Sequence, residues 1–196
     1  MSDGVGSGER GRGTLITVAP APGPIGHLLR TAIDAEQVGA ARLHLPTDQP
    51  ELTLAVSALR EQTQLVLTCD DHVPGVDVVG SAFVDAVLQD GSDLPGLVAE
   101  VARLVAAHPA GVGIQCCGSA AVPALLASLA AGGHIWVQAP EYDKTSNNDN
   151  KTATAPVRSS PVKDHAALVA RASGLARIAG RPPMDRRAAR MLLGLL

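Results

Sequence analysis

Residues 14–45 read TLITVAPAPGPIGHLLRTAIDAEQVGAARLHL, and this stretch decides the fold class. Thr14–Ala19 is a short β-branched apolar run, the pattern of a buried strand. Pro20, Pro22, Gly23 and Pro24 form a rigid loop. Ile25–Val38 then places Ile25, Leu28, Leu29, Ala32 and Ile33 at helical spacing, and Gly39 is a natural C-terminal stop. Ala41–Leu45 is a second strand. The unit repeats outward from here. Glu51–Gln62 reads as a helix and Gln64–Thr68 as a strand. Residues 72–92 have room for one strand at Val76–Val79 and another at Phe83–Leu88. Leu94–Ala107 is a helix and Val112–Cys116 a strand. Ser119 can cap a helix over Ala120–Ala131, with Pro123 in its first turn and Gly132 closing it. His134–Gln138 is the last strand, followed by helices over Ala166–Ile178 and Asp185–Leu195. Strands that alternate with helices across short loops predict parallel strands with helical crossovers, hence an α/β fold. The strands are nearly continuous apolar runs, as expected when both faces are covered.

The chain has 196 residues, 46% apolar and 18% charged. That is enough to bury a sizeable core, and it fits one domain over residues 14–196. Residues 1–13 are Gly/Ser-rich and charged and read as a disordered leader, without the apolar h-region of a secretory signal. KTSNNDNKTATA at 144–155 is polar and low in complexity and reads as a mobile surface loop. No apolar run approaches the ~20 residues of a membrane span. The three cysteines are too few for a disulfide scaffold, so a reduced, cytoplasmic protein is the expectation. The net charge of −3 and only three aromatics argue against a nucleic-acid partner. Charge is unevenly spread: residues 156–196 carry eight Lys/Arg against Asp164 and Asp185, so a basic helical tail is expected to dock on an acidic body.

In such folds the C-terminal ends of the strands form the functional rim. Candidates there are His44, the cluster Thr68-Cys69-Asp70-Asp71-His72, Cys116-Cys117, and the run from His134 to Asp143. These are ligand types for zinc or iron, but no sequence-local metal signature is present. Cys116 and Cys117 are adjacent, not CxxC, and read as small apolar fillers. There is no GxGxxG after the first strand and no GxxxxGK[ST], so nucleotide-binding loops are unsupported.

Two stretches, TLITVAPAPGP followed by GAARLHLPTDQ, and GGHIWVQAPEYD followed by the C-terminal VRSSPVKDHAALVARASGLARIAGRPPMDRRAARMLLGL, resemble the β-keto acid cleavage enzymes, the family of 3-keto-5-aminohexanoate cleavage proteins. The resemblance covers about residues 14–70 and 110–196. It implies a parallel (β/α) barrel of TIM type, here with six or seven strands and so incomplete. It implies a zinc ion, a retro-Claisen cleavage of a β-keto acid with acyl transfer involving acetyl-CoA, and acetoacetate and an acyl-CoA as products. His44 matches the first metal-binding histidine of that family, while the second histidine position holds Pro46. The family's glutamate ligand falls at Pro140, with Glu141 one residue late. His44 and Glu141 are thus the implied metal ligands, Glu141 and Asp143 the implied catalytic acids, and Thr68, His134 and Trp136 the implied substrate contacts, Trp136 standing where the family has an arginine. Three functions are open: a lyase/transferase with a modified metal site, a catalytically inactive descendant that binds or supports, and a small α/β binding module of unrelated function. Open strand edges and the basic tail point to a homo-oligomer.

Overall fold

A computed structural model describes residues 13–80, 82–88, 93–116, 120–138 and 165–195, without the side chain of Cys116. In chain order the elements are β1 (Ile16–Ala19), α1 (Ile25–Gln37), β2 (Arg42–Leu45), α2 (Leu52–Gln62), β3 (Val66–Cys69), β4 (Val84–Leu88), α3 (Leu94–Ala107), β5 (Val112–Cys116), α4 (Ala121–Ala131), β6 (His134–Gln138), α5 (His165–Ile178) and α6 (Arg186–Leu192). All strand pairings are parallel, and the six strands run in the order β3-β2-β1-β6-β5-β4. The first strand therefore lies beside the last, with Thr17 opposite Trp136. That is the circular neighbour relation of a (β/α) barrel, here open between β3 and β4. The fold is an incomplete parallel α/β barrel of TIM type, a curled half-barrel with its helices on the outside.

Alternation along each strand assigns its side chains to the two faces. Ile16, Val18, Leu43, Leu45, Leu67, Ile135 and Val137 form one core with Leu28, Ala32, Ala55, Leu59, Val169 and Ala172 of the helices. A second outer cluster packs Val101 of α3 on Val112 and Ile114 of β5. The opposite, concave face carries Thr17, Arg42, His44, Thr68, Asp85, Gln115 and Trp136, spaced two apart wherever one strand supplies more than one. At its lower end Leu15, Val66, Phe83, Ala189 and Leu193 form a plug, so α6 closes the bottom of the half-barrel.

Local chemistry explains the element ends. Asp93 accepts a hydrogen bond from the Gly96 N–H at 2.9 Å and starts α3; Asp185 accepts one from the Ala188 N–H at 2.8 Å and starts α6. Gly132 ends α4 in the left-handed region (φ 94°). The residue at the N-cap of α4 is Ala120, with no side-chain cap, and Ser119 lies outside the described residues. Arg181 gathers the end of α4 by donating to the carbonyls of Gly133 (2.7 Å), Gly132 (2.9 Å) and Gly13 (3.1 Å).

One expected strand does not form. Val76–Val79 is irregular, although its Asp77 N–H donates to the Leu67 carbonyl of β3 at 2.8 Å. The Asp77 carboxylate is drawn instead to Arg190 (3.2 Å) and Arg60 (3.5 Å), and Pro74-Gly75 turns the chain just before it. The segment thus becomes a strap across the open side of the sheet. The Arg190–Asp77 pair also ties the basic tail to the body. Residues 1–12 and the loop 144–155 lie outside the described residues, and none of the described helices is long and apolar enough to cross a membrane.

Gly39 joins α1 to β2 at φ 111°, and a Cβ there would lie 2.6 Å from Ser173 Oγ and 3.2 Å from Pro183 Cγ. Ser173 cannot simply turn away, because its hydroxyl donates to the Val38 carbonyl at 2.6 Å. Gly39→Ala is expected to lower the unfolding free energy by about 1–3 kcal/mol in urea titration.

Candidate functional site

The concave face centres on Arg42, whose side chain is only 2% exposed. A buried guanidinium needs partners for its donors, and each of its three nitrogens has one. Nε donates to Thr68 Oγ1 at 2.9 Å. Nη1 and Nη2 reach the two carboxylate oxygens of Asp85 at 2.9 and 2.7 Å, a two-point bridge from β2 to β4. The guanidinium also lies over the Phe83 ring, 5.5 Å from its centroid.

The polar chain continues upward. Thr68 Oγ1 lies 3.3 Å from Nδ1 of His44, and Nε2 of His44 is 3.5 Å from Asp70 Oδ1. Thr68 Oγ1 accepts from Arg42, and its own proton has two acceptors within reach, the Leu43 carbonyl at 3.5 Å and Nδ1 of His44; when it turns to Nδ1, Nε2–H faces the Asp70 carboxylate. Burial holds the His44 pKa below the usual imidazole range, and the Arg42 charge adds to this, while Asp70 and Asp85 pull partly back. The Trp136 ring stands 5.1 Å from the His44 ring at an interplanar angle of 60°. Its Nε1–H and the Thr17 hydroxyl are buried without a hydrogen-bond partner among the described residues.

The expected substrate contacts Thr68 and Trp136 thus do gather around His44. His134 sits deeper: its Nδ1 accepts from the Leu15 N–H at 3.0 Å, and its ring lies 5.8 Å from Phe83. Burial, with the nearby Arg181 charge, pushes its pKa down to about 4. The implied acids Glu141 and Asp143, and with them the second half of the implied metal pair His44–Glu141, lie outside the described residues. Among the described residues no group of three or more His, Cys, Asp or Glu side chains is placed to hold a metal ion. Arg42 and Asp85 were not singled out in the sequence. Their signal was there: each is a lone charge inside an apolar strand, in ARLHL and FVDAVL, where an unpaired charge would not be tolerated.

A cavity of about 350 Å³ opens beside this network. It lies between β3 and β4, where the barrel is incomplete. Its base is Arg42 and Asp85, one wall is Val73, Val76, Val79 and Phe83, and its rim carries His44, Cys69, Asp70, Asp71 and His72.

No protein-family model matches the sequence, and no curated protein matches it. Among solved structures, the chain is similar to (S)-3-O-geranylgeranylglyceryl phosphate synthase from Thermoplasma acidophilum, in complex with sn-glycerol-1-phosphate, at 13% identity and a TM-score of 0.46, over 66% of this chain and 87% of that one. It is also similar to a probable methyltransferase from Bordetella pertussis Tohama I, at 14% identity and a TM-score of 0.35, over 87% and 98%. These findings overturn the resemblance to the β-keto acid cleavage enzymes: no such family model matches, and neither structure is of that family. The residues agree with the correction. Pro46 follows β2 where a second imidazole was needed, and Trp136 fills the place of the arginine.

Two outcomes follow from this network. Arg42→Ala strands Asp85 in a half-buried, unpaired state and should cost about 3–5 kcal/mol in urea unfolding, whereas the double change Arg42→Met, Asp85→Leu should recover most of that loss. For His134, the folded pKa of about 4 lies below the unfolded value near 6.5. The unfolded chain therefore binds more protons between those values, so stability is full above pH 6.5 and falls as pH drops towards 4. The loss should be on the order of 3 kcal/mol, and His134→Asn, which retains an acceptor for the Leu15 N–H, should flatten the slope.

Proposed function

We propose that this chain is a binding protein for a small amphipathic amine, with the ligand seated in the opening between β3 and β4. The observation that carries this reading is the division of the cavity into an apolar wall and an acidic mouth. Its volume of about 350 Å³, partly open to solvent, leaves room for one end of a small molecule to be buried. The charges at the base cancel, since Arg42 is bonded to both oxygens of Asp85. Asp77 is held by two arginines. The uncancelled charge is therefore at the rim, on Asp70 and Asp71, and His44, kept neutral by burial, adds no positive charge against a cation. An apolar body would lie on Val76, Val79 and Phe83, with its ammonium group towards Asp70 and Asp71. The same mouth repels a carboxylate ligand such as a β-keto acid.

Binding is favoured over turnover through Thr68, the one hydroxyl of the polar column beside the cavity. The Thr68 hydroxyl is fully buried and engaged by Arg42, so it is not open to attack on a bound molecule. A reducing cytoplasmic setting suits the free thiol of Cys69 on the cavity lining.

The test compares 2-phenylethylamine with phenylacetate, two molecules of similar body and opposite charge. The amine should raise the melting temperature of the full chain and give a saturable calorimetric titration, while phenylacetate should not. In the double variant Asp70→Asn, Asp71→Asn the amine effect should fall at least tenfold in affinity. Equal responses to both molecules, or to neither, would sink the reading.

A further inference from the structure

Among the described residues, the outer helix layer carries an exposed apolar stripe shared by two adjacent helices. On α3, Leu94, Val98 and Ala102 are exposed, and on α4, Val122, Leu126 and Ala130 are exposed, each set spaced by four residues. Leu94 is 58% and Leu126 47% accessible, and with Val98 and Val122 they line up along one side of the helix pair. The two helices pack against each other. The sequence of α4, AVPALLASLAA, has no charged side chain in its 11 residues. The charges of α3, Glu100 and Arg103, bind each other at 2.6 and 2.7 Å and so cancel.

We infer that this α3–α4 face is the contact through which two copies of the chain pair. Three considerations select a second copy over other occupants. First, the longer segments outside the described residues, MSDGVGSGERGR at 1–12 and APEYDKTSNNDNKTATAPVRSSPVKD at 139–164, contain no run of large apolar residues at helical spacing that could cover it. Second, a lipid surface recruits amphipathic helices through Lys and Arg beside the apolar stripe; α4 offers none, and Arg103 of α3 is taken by Glu100. A charged protein partner would likewise find no opposite charge to read. Third, a neutral apolar patch is complementary to itself. Both helices return from parallel strands, so they run in the same direction. A two-fold axis perpendicular to them would set each pair antiparallel to its copy and bring the two stripes together as an isologous four-helix contact.

The size of the patch sets the strength. With a rise of 1.5 Å per residue, α3 and α4 are about 21 and 16 Å long, and neighbouring helices lie about 8–10 Å apart. The face thus spans roughly 400 Å² per copy, a patch of interaction-site size that buries less than a stable specific interface does, so the contact is a weak one. The dimer should be reversible, with its population rising with concentration.

Light scattering coupled to gel filtration, with sedimentation velocity over a dilution series, tests this on the full chain. The wild type should move from the 20.0 kDa monomer towards twice that mass as concentration rises. Leu126→Glu should remain monomeric throughout, with an unchanged circular dichroism spectrum. Ile178→Glu, a change at an exposed apolar residue on α5 outside the patch, should dimerise like the wild type. Should Leu126→Glu fail to fold, Ala130→Arg, whose side chain extends into solvent in the monomer, must abolish dimerisation instead. A wild type that is monomeric at every concentration overturns the inference. So does a dimer that survives a folded patch variant, or one dissolved by Ile178→Glu. A monomer that instead sediments with phosphatidylcholine vesicles, and loses this with Leu126→Glu, overturns it in favour of a lipid surface.

Discussion

The two-point bridge from Arg42 to Asp85 supports the whole concave face. Among the described residues no backbone ladder joins β3 to β4, so on that side Arg42 and Asp85 link the two halves, β1–β3 and β4–β6. A guanidinium buried to this degree would be very costly alone. With Asp85 on two nitrogens, Thr68 on the third and Phe83 beneath, each nitrogen is directed at a partner and the charge is matched within the low-dielectric interior. Such a pair adds little net stability against an apolar substitute of the same shape. Its effect is to fix where β4 stands relative to β2, and thereby the width of the opening.

That opening then shapes everything above it. A strand left without a neighbour exposes backbone donors and acceptors, a liability the fold must manage. Here the 70–80 segment covers the β3 side: its Asp77 N–H takes one β3 carbonyl, and its carboxylate is clamped by Arg60 and Arg190. The strap's Val73, Val76 and Val79 line the space between β3 and β4 without filling it, so a cavity remains beside them. The incompleteness of the barrel and the presence of a pocket are one fact seen twice.

The fold class was legible because the signal is local. In 14–45 the change from a continuous apolar run to helical spacing and back is carried by adjacent residues, and the same holds for α3 and β6, whose bounds over 94–107 and 134–138 the structure keeps. Val76–Val79 misled for the complementary reason: its composition suits a strand, but a carboxylate at 77 faces two arginines that are 17 and 113 residues away in the chain, and no local pattern reveals that. The site was partly legible. His44, Thr68 and Trp136 each end up around one point, because alternate positions on neighbouring parallel strands share a face. The chemistry assigned to them was not legible, since it rested on a likeness of short motifs in which the decisive positions, Pro46, Trp136 and Pro140, had changed.

Polarity inside the half-barrel follows from the same geometry. The outer face of every strand is claimed by helices and is uniformly apolar. The inner face is lined from both halves of the sheet, and its lower end is filled by the apolar plug under α6. Above the plug, Thr17, Arg42, Thr68 and Gln115 are themselves buried, so polar side chains such as Arg42 and Thr68 are kept there by pairing with one another, and only at the rim does the face open to solvent. The row Arg42, His44, Asp70 thus grades from a buried, neutralised charge, through an imidazole held neutral by burial, to a carboxylate that is 82% exposed. A ligand entering at the rim would displace water from Asp70 and leave the Arg42–Asp85 bridge untouched, so recognition and support are separated along a single polar column.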